Sequence, residues 1–285
     1  KEAFGGHIEV YSNYANLINE SDVEGVMICL PPTLTTDAVS IALEHDKHVW
    51  FEPPLEDTKD SNLMLALAQQ TDRIFHPDLE IRYLPILQSL QEIFNKTKFG
   101  SIQRVRLHLQ LPANATGVKS YLFDLSPWYI DVLDIFVEGD PTAIELRDTN
   151  KSCDSPIREG LIKLEYGGCK SGEWDFDFSP NIEASLRIHI DSEKGEAKAD
   201  LFDGTYKYRE VGGSWLTGKA DCTRPMYGFV GMRESLNAFL TKFRNNNPIS
   251  CGAYHYHRLH QILTAVQRSE QKIMNTGKSI NTSYL

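Results

Sequence analysis

The chain has 285 residues, 41% hydrophobic and 24% charged, with a formal net charge of -10 at neutral pH. This composition supports a sizeable core in one large or two ordinary globular domains. The acidic balance argues against nucleic acid or anionic membrane as a partner, since both need a cationic footprint. No stretch approaches the roughly 20 apolar residues that span a bilayer, no basic-then-apolar leader is read, and a cytoplasmic location is expected. The five cysteines (Cys29, Cys153, Cys169, Cys222, Cys251) lack CxxC spacing, which fits reduced thiols better than disulfides or a zinc site. The chain begins at Lys1 rather than Met, so it reads as a fragment.

In chain order, residues 14–20 read as a short helix, and "VEGVMICLPP" (23–32) as a buried strand ending in a proline turn. Residues 33–46 carry apolar side chains at helical spacing, with Thr35 or Thr36 as the expected cap. "KHVWFE" is the next strand, 58–71 a second amphipathic helix and "RIFHPDL" a third strand. Strand, helix, strand, helix, strand at this spacing predicts a parallel βαβαβ unit. After a helix over 84–100 the pattern changes to period two, in "SIQRVRLHLQL", "AIELRD", "EGLIKLEY", "GEWDFDF", "EASLRIHID", "GEAKADLFD" and "TYKYREV". These predict a largely antiparallel sheet with one wet face. Helices are expected at 126–139, 227–246 and about 255–275. The expected fold class is therefore α/β: a partial Rossmann-like domain over 1–83, then an α+β domain with a large, mostly antiparallel sheet over 84–285.

The layout, with "VEGVMICLPPTLTTDAVSIALEHDKHVWFEPPL" and "HPDLEIRYLP", resembles the Gfo/Idh/MocA oxidoreductase family, which includes glucose–fructose oxidoreductase, inositol dehydrogenase and biliverdin reductase. The resemblance implies a Rossmann domain binding NAD or NADP. It also implies a small-molecule substrate cleft and pairing of subunits through the open face of the large sheet. The family's opening strand and GxGxxG turn, whose backbone N–H groups hold the cofactor pyrophosphate, are not found in this chain. Gly5-Gly6 has no preceding strand and is no substitute.

Three departures bear on chemistry. The family's Glu-Lys-Pro is here Glu52-Pro53-Pro54, and proline offers neither an ionisable group nor a backbone donor. The family's Thr-Pro-Asn turn becomes Leu30-Pro31-Pro32. Its Asp-x-Gly-x-His-x-x-Asp falls on Asp124 to Asp131, with Trp128 at the place of the general acid/base histidine. Indole stacks and donates a hydrogen bond but exchanges no proton in the working pH range. By resemblance, Leu30, Pro31, Glu52 and Pro54 line a cofactor site, and Arg82, Asp124, Trp128 and Tyr129 a ligand site. Arg82 is expected mainly in an ion pair near the domain junction. Glu52, Asp131 and His76 are the remaining candidate acids and bases, His76 by its place at a strand end and its near-neutral titration.

Other clusters read more plainly. His255, His257 and His260 do not share one helical face with a carboxylate, so solvated or capping roles are preferred over a metal site. In "SGEWDFDFSP" the aromatics alternate with Glu173, Asp175 and Asp177, as in a half-buried strand; a subunit interface is the alternative for the aromatic face. The expected function is a family homologue with impaired catalysis that keeps a ligand cleft and binds no cofactor. The alternative is an active NAD(P)-dependent oxidoreductase on a sugar, cyclitol or other carbonyl compound. A lyase or hydrolase using Glu52 or Asp131 as base ranks below both.

Overall fold

The computed structural model describes residues 8–20, 22–56, 59–96, 99–112, 121–137, 139–149, 157–221, 231–245, 252–276 and 280–283. Two compact units divide the chain: Lys1–Asp78 with Asn237–Arg258, and Leu79–Leu236 with Leu259–Leu285. The boundary expected near 83 thus falls at 78, and the first unit takes back a segment from far along the chain.

In the first unit a parallel sheet has the order β1 (Gly25–Ile28), β2 (His48–Phe51), β3 (Phe75–Pro77), in register Gly25↔His48 and Val49↔Phe75. Helices α1 (Tyr14–Glu20), α2 (Pro32–Glu44) and α3 (Lys59–Gln70) accompany it. Sequential right-handed crossovers put α2 and α3 on one face, and the two helices do pack against each other. Ala38, Val39 and Ala42 of α2 are wholly buried, and the small alanines permit a close approach to the sheet. Pro32 opens this helix, where its missing N–H costs nothing. Thr35 and Thr36 lie inside the helix rather than capping it: Thr35 Oγ1 donates to Leu30 O at 2.8 Å, and Thr36 Oγ1 accepts from Glu56 N at 3.3 Å. Phe239 meets His76 edge-on at 5.9 Å and Phe243 meets His48 at 5.1 Å, so these two rings of the returning segment pack on the face carrying both histidines. Tyr256, also from that segment, joins Phe51 and Phe75 and accepts a buried hydrogen bond from Leu55 N at 3.1 Å.

The second unit holds β4 (Ile102–Gln110), β5 (Pro141–Asp148), β6 (Glu159–Tyr166), β7 (Lys170–Asp177), β8 (Ser185–Ser192), β9 (Gly195–Asp200), β10 (Thr205–Glu210), β11 (Leu216–Lys219) and β12 (Ile280–Ser283). They form one nine-stranded sheet in the order β11-β10-β9-β8-β4-β7-β6-β5-β12. Every neighbouring pair is antiparallel except β4 and β7. Helix α4 (Pro85–Lys96) precedes β4, and α5 (Tyr121–Phe136) packs on β4 and β7. Strand pleating sends Val105, Leu107, Trp174, Phe176, Ile188 and Ile190 to the buried face. The aromatic face of β7 is therefore core and not an interface; the acidic residues Glu173, Asp175 and Asp177 are the ones on its other side. Two last helices are α6 (Met232–Asn245) and α7 (Ala253–Thr276), each divided between the two units. Gly195 is required where it stands, because a Cβ there would come within 2.5 Å of the buried Phe99 ring. No helix among the described residues is long and apolar enough to cross a membrane.

Candidate functional site

In the first unit the carboxyl ends of the three strands are fastened side by side. Glu52 N donates to Ile28 O at 3.0 Å and Asp78 N to Phe51 O at 2.8 Å. This brings together Cys29, Leu30 and Pro31 after β1, Glu52, Pro53 and Pro54 after β2, and Asp78 after β3. It is the edge at which open parallel sheets bind ligands. Pro53 and Pro54 are buried and joined by a cis peptide bond, while Glu52 is half-buried. His76 lies one strand over and is wholly buried, so it has no open path to solvent for a proton. Asp78, unremarked in the sequence, is almost wholly buried at the same edge; the signal for it was only its position after an apolar strand.

Cys29 is exposed, yet partial burial of its sulfur, followed by the fields of Glu52 and Asp78, holds its thiol above the ordinary range. A raised pKa depletes the thiolate at neutral pH, and the thiolate is the nucleophile. Alkylation of Cys29 by iodoacetamide should therefore be slow at neutral pH and gain speed only above the range of an ordinary thiol. Glu52→Gln should accelerate it, and mass-spectrometric rates for the Cys29 peptide would show an unchanged rate if the carboxylate were not involved.

In the second unit the candidate residues sit on α5 and on a 3-10 turn over Glu80–Tyr83. Arg82 Nε donates to Asp131 Oδ2 at 2.8 Å and Nη2 to Oδ1 at 2.6 Å. The pair is buried, at 7% and 0% side-chain exposure. Arg82 is thus in an ion pair, and Asp131, held bidentately, is a poor candidate for a free base. Asp124, Trp128 and Asp131 fall at i, i+4 and i+7, along one stripe of the helix. Asp124 is exposed as a residue, yet nearby protein withdraws enough water from its carboxyl to raise its pKa. Trp128 is half-buried. Tyr129 lies off that stripe. It is buried and stacked on Trp174 at 5.0 Å, and burial, then the Glu80 carboxylate, raises its phenol far above the ordinary range. Its hydroxyl stays protonated, so Tyr129 belongs to the core and not to a solvent-facing ligand site. Ser126, at the family's glycine position, buries an Oγ that finds no hydrogen bond among the described residues.

Of the histidine run, His257 Nδ1 is 3.1 Å from Gln69 Nε2, and His260 is nearly wholly buried rather than solvated. Among the described residues, the group spaced to hold a metal is His189, Asp191 and Glu196, on β8 and β9. Arg106 Nη2 lies 2.7 Å from His189 Nδ1, and a guanidinium can only donate. That fixes the neutral-ring proton on Nε2, which faces Asp191 at 2.9 Å and Glu196 at 3.1 Å. A proton already fills the place a metal would take. Gly5-Gly6 and Cys153, Cys222 and Cys251 lie outside the described residues.

Comparison with known proteins follows the same geometry. Residues 2–79 match the model of an oxidoreductase family described as having an NAD-binding Rossmann fold. An uncharacterized oxidoreductase of Synechocystis sp. is 28% identical over 112 residues, 39% of this chain and 30% of that relative's length. UDP-N-acetylglucosamine 3-dehydrogenase from Acidithiobacillus ferrooxidans superposes with a TM-score of 0.76 at 14% identity, over 93% of this chain and 84% of that one. An oxidoreductase from Agrobacterium radiobacter, solved with NAD+, L-tartaric acid and magnesium, gives 0.76 at 13% identity over 95% and 83%. Levoglucosan dehydrogenase, solved with NADH and levoglucosan, gives 0.77 at 14% identity over 96% and 84%. At these identities the structural likeness is one of fold. The match over residues 2–79 and the fold shared with these dehydrogenases agree with the resemblance to the Gfo/Idh/MocA oxidoreductase family.

Proposed function

We propose that this chain is a family homologue that holds a small polar ligand but is impaired in hydride transfer. The observation that carries the reading is the strand end Glu52-Pro53-Pro54: at the position of the family's lysine stands a buried proline with no proton to give and no N–H to donate. A reduced carbonyl oxygen needs a proton as the hydride arrives. The neighbouring titratable groups do not replace the lysine readily, since His76 is sealed and Asp131 is clamped by Arg82. Trp128 supplies a stacking surface and an indole N–H where the family has a histidine.

A second reading is favoured by the match over residues 2–79 to an NAD-binding fold. In it the chain binds NAD or NADP and acts on a sugar-like or other carbonyl substrate. The turn Leu30-Pro31, Glu52 and Pro54 would then lie against the dinucleotide, which supplies the hydride. Glu52 would orient the substrate's hydroxyl or carbonyl oxygen, with water as the proton source. Titration with NADH and with NADPH, followed by nicotinamide fluorescence, separates affinity from turnover. Under the first reading no carbonyl substrate makes the bound or added coenzyme disappear. Coenzyme consumption in step with a carbonyl compound by the unmodified chain would overturn it.

A further inference from the structure

His48 opens β2, and its half-buried ring is approached by two groups that can only donate. Ile74 N lies 3.0 Å from Nδ1 and Arg73 Nη1 lies 3.3 Å from Nε2. A neutral imidazole accepts at one nitrogen and carries its proton on the other. Ile74 is 2% exposed, so its amide has little water to turn to if the bond to Nδ1 is lost. The partly exposed Arg73 is the one that can give way, since Asp46 already accepts from its Nε and Nη2, each at 2.6 Å. The neutral ring therefore accepts at Nδ1 and keeps its proton on Nε2.

A second proton finds no acceptor. It would set Nδ1–H against the Ile74 N–H and add a positive charge beside Arg73, so the charged ring is stable only if it swings out to water. That movement removes the edge-on contact with Phe243 at 5.1 Å. Phe243 in turn stacks on Phe239, one helical turn earlier on α6, at 6.5 Å, and Phe239 meets His76 on the same face of the sheet. The His48 ring is thus the outer end of a row of contacts that seats α6, from Asn237 onward, on the parallel sheet.

We propose that His48 is an acid-operated latch, whose ring on taking up a proton frees this part of α6 from the parallel sheet of the first unit. The groups around the ring agree with that sign. Burial of the ring, then the Arg73 guanidinium, hold its titration below the ordinary value, and Lys242 of α6 adds to them; Asp46 before β2 and Glu24 before β1 oppose without reversing the result. Between that lowered value and about 6.5, the released ring binds a proton that the seated ring refuses. The seated state is fully favoured above this window. It loses up to about tenfold in its equilibrium per pH unit as the pH falls through the window, and nothing more from this group below it. The latch lies at the amino ends of the strands and does not depend on what their carboxyl ends bind.

Amide hydrogen exchange of the full chain, read by mass spectrometry between about pH 5 and 8, tests the latch. Dividing the rates of the Asn237–Asn245 stretch by those of the same peptide free in solution removes the chemical effect of pH. Protection of this stretch should fall by up to about tenfold per pH unit below about 6.5, while β7 in the second unit keeps its protection. His48→Asn puts an amide oxygen where Nδ1 accepts and has nothing to titrate. Its protection should be lower at the alkaline end, for want of the ring, and level across the range. The His48 ring of the parent, followed by NMR, should titrate below free histidine. The proposal fails if it titrates at or above free histidine, or if the parent's α6 protection is level with pH. It fails if His48→Asn shows the parent's fall, which would assign the effect to Asp46, Glu24 or His76. It fails as well if β7 loses protection in step with α6, because acid would then be unfolding the whole molecule.

Discussion

Exchanging Arg82 for methionine should lower the unfolding free energy of the second unit by about 3–5 kcal/mol, read as a shift of the urea midpoint at unchanged slope. The pair owes this weight to its burial, with both carboxylate oxygens of Asp131 committed to the guanidinium. Removing the arginine strands a charge where water cannot reach it, which costs more than the pair itself contributes. The double exchange Arg82→Met with Asp131→Leu should therefore recover much of the loss, since an apolar pair of similar volume replaces a salt bridge nearly neutrally. If the single variant unfolds at the parent's midpoint, Asp131 is reaching water or another cation, and its exclusion as a base no longer holds.

A loss of similar size, about 3–5 kcal/mol, is expected for Trp174→Ala. This side chain is fully buried in the middle of β7, stacks on Tyr129 and touches Phe176 at 5.1 Å. Truncation opens a cavity between α5 and the sheet that neither can close, because the sheet fixes one wall and the helix carries the Arg82 clamp. Trp174→Phe keeps most of the contact and should cost a fraction of that. The indole Nε1 has no hydrogen-bond partner among the described residues, so its removal relieves a small penalty as well. Thermal unfolding of the two variants side by side checks the ordering. Equal destabilisation by alanine and phenylalanine would mean that shape, and not volume, governs this part of the core.

Much of this architecture was legible because periodicity is a local property. The continuous apolar runs around Val26 and Val49 announced parallel strands, although β1 leaves Met27 exposed on one side, and the alternation through Trp174 and Phe176 announced a sheet with one wet face. What escaped was set by pairing at a distance. The parallel neighbourhood of β4 and β7 depends on which strands meet, a matter no single segment encodes. Strands β11 and β12 are only four residues each, too short for a period to declare itself.

The site was legible in a similar, partial way. The proline at position 53 could be read directly, since its chemistry is intrinsic to the residue. That His76 is sealed beside Phe239 could not be, because the phenylalanine arrives from a segment more than half the chain away. The resemblance put Tyr129 in a ligand site with Trp128, but a step of one residue around a helix was enough to turn it into the core.

The return of Asn237–Arg258 to the first unit has a consequence for how the molecule is made. During synthesis the three parallel strands leave the ribosome early, but the rings of Phe239, Phe243 and Tyr256 that cover them are translated only after β11. A nascent chain must therefore carry an unfinished amino-terminal layer while β4 to β11 of the large sheet are being threaded out. For this protein, vectorial folding cannot run in the order in which the message is read.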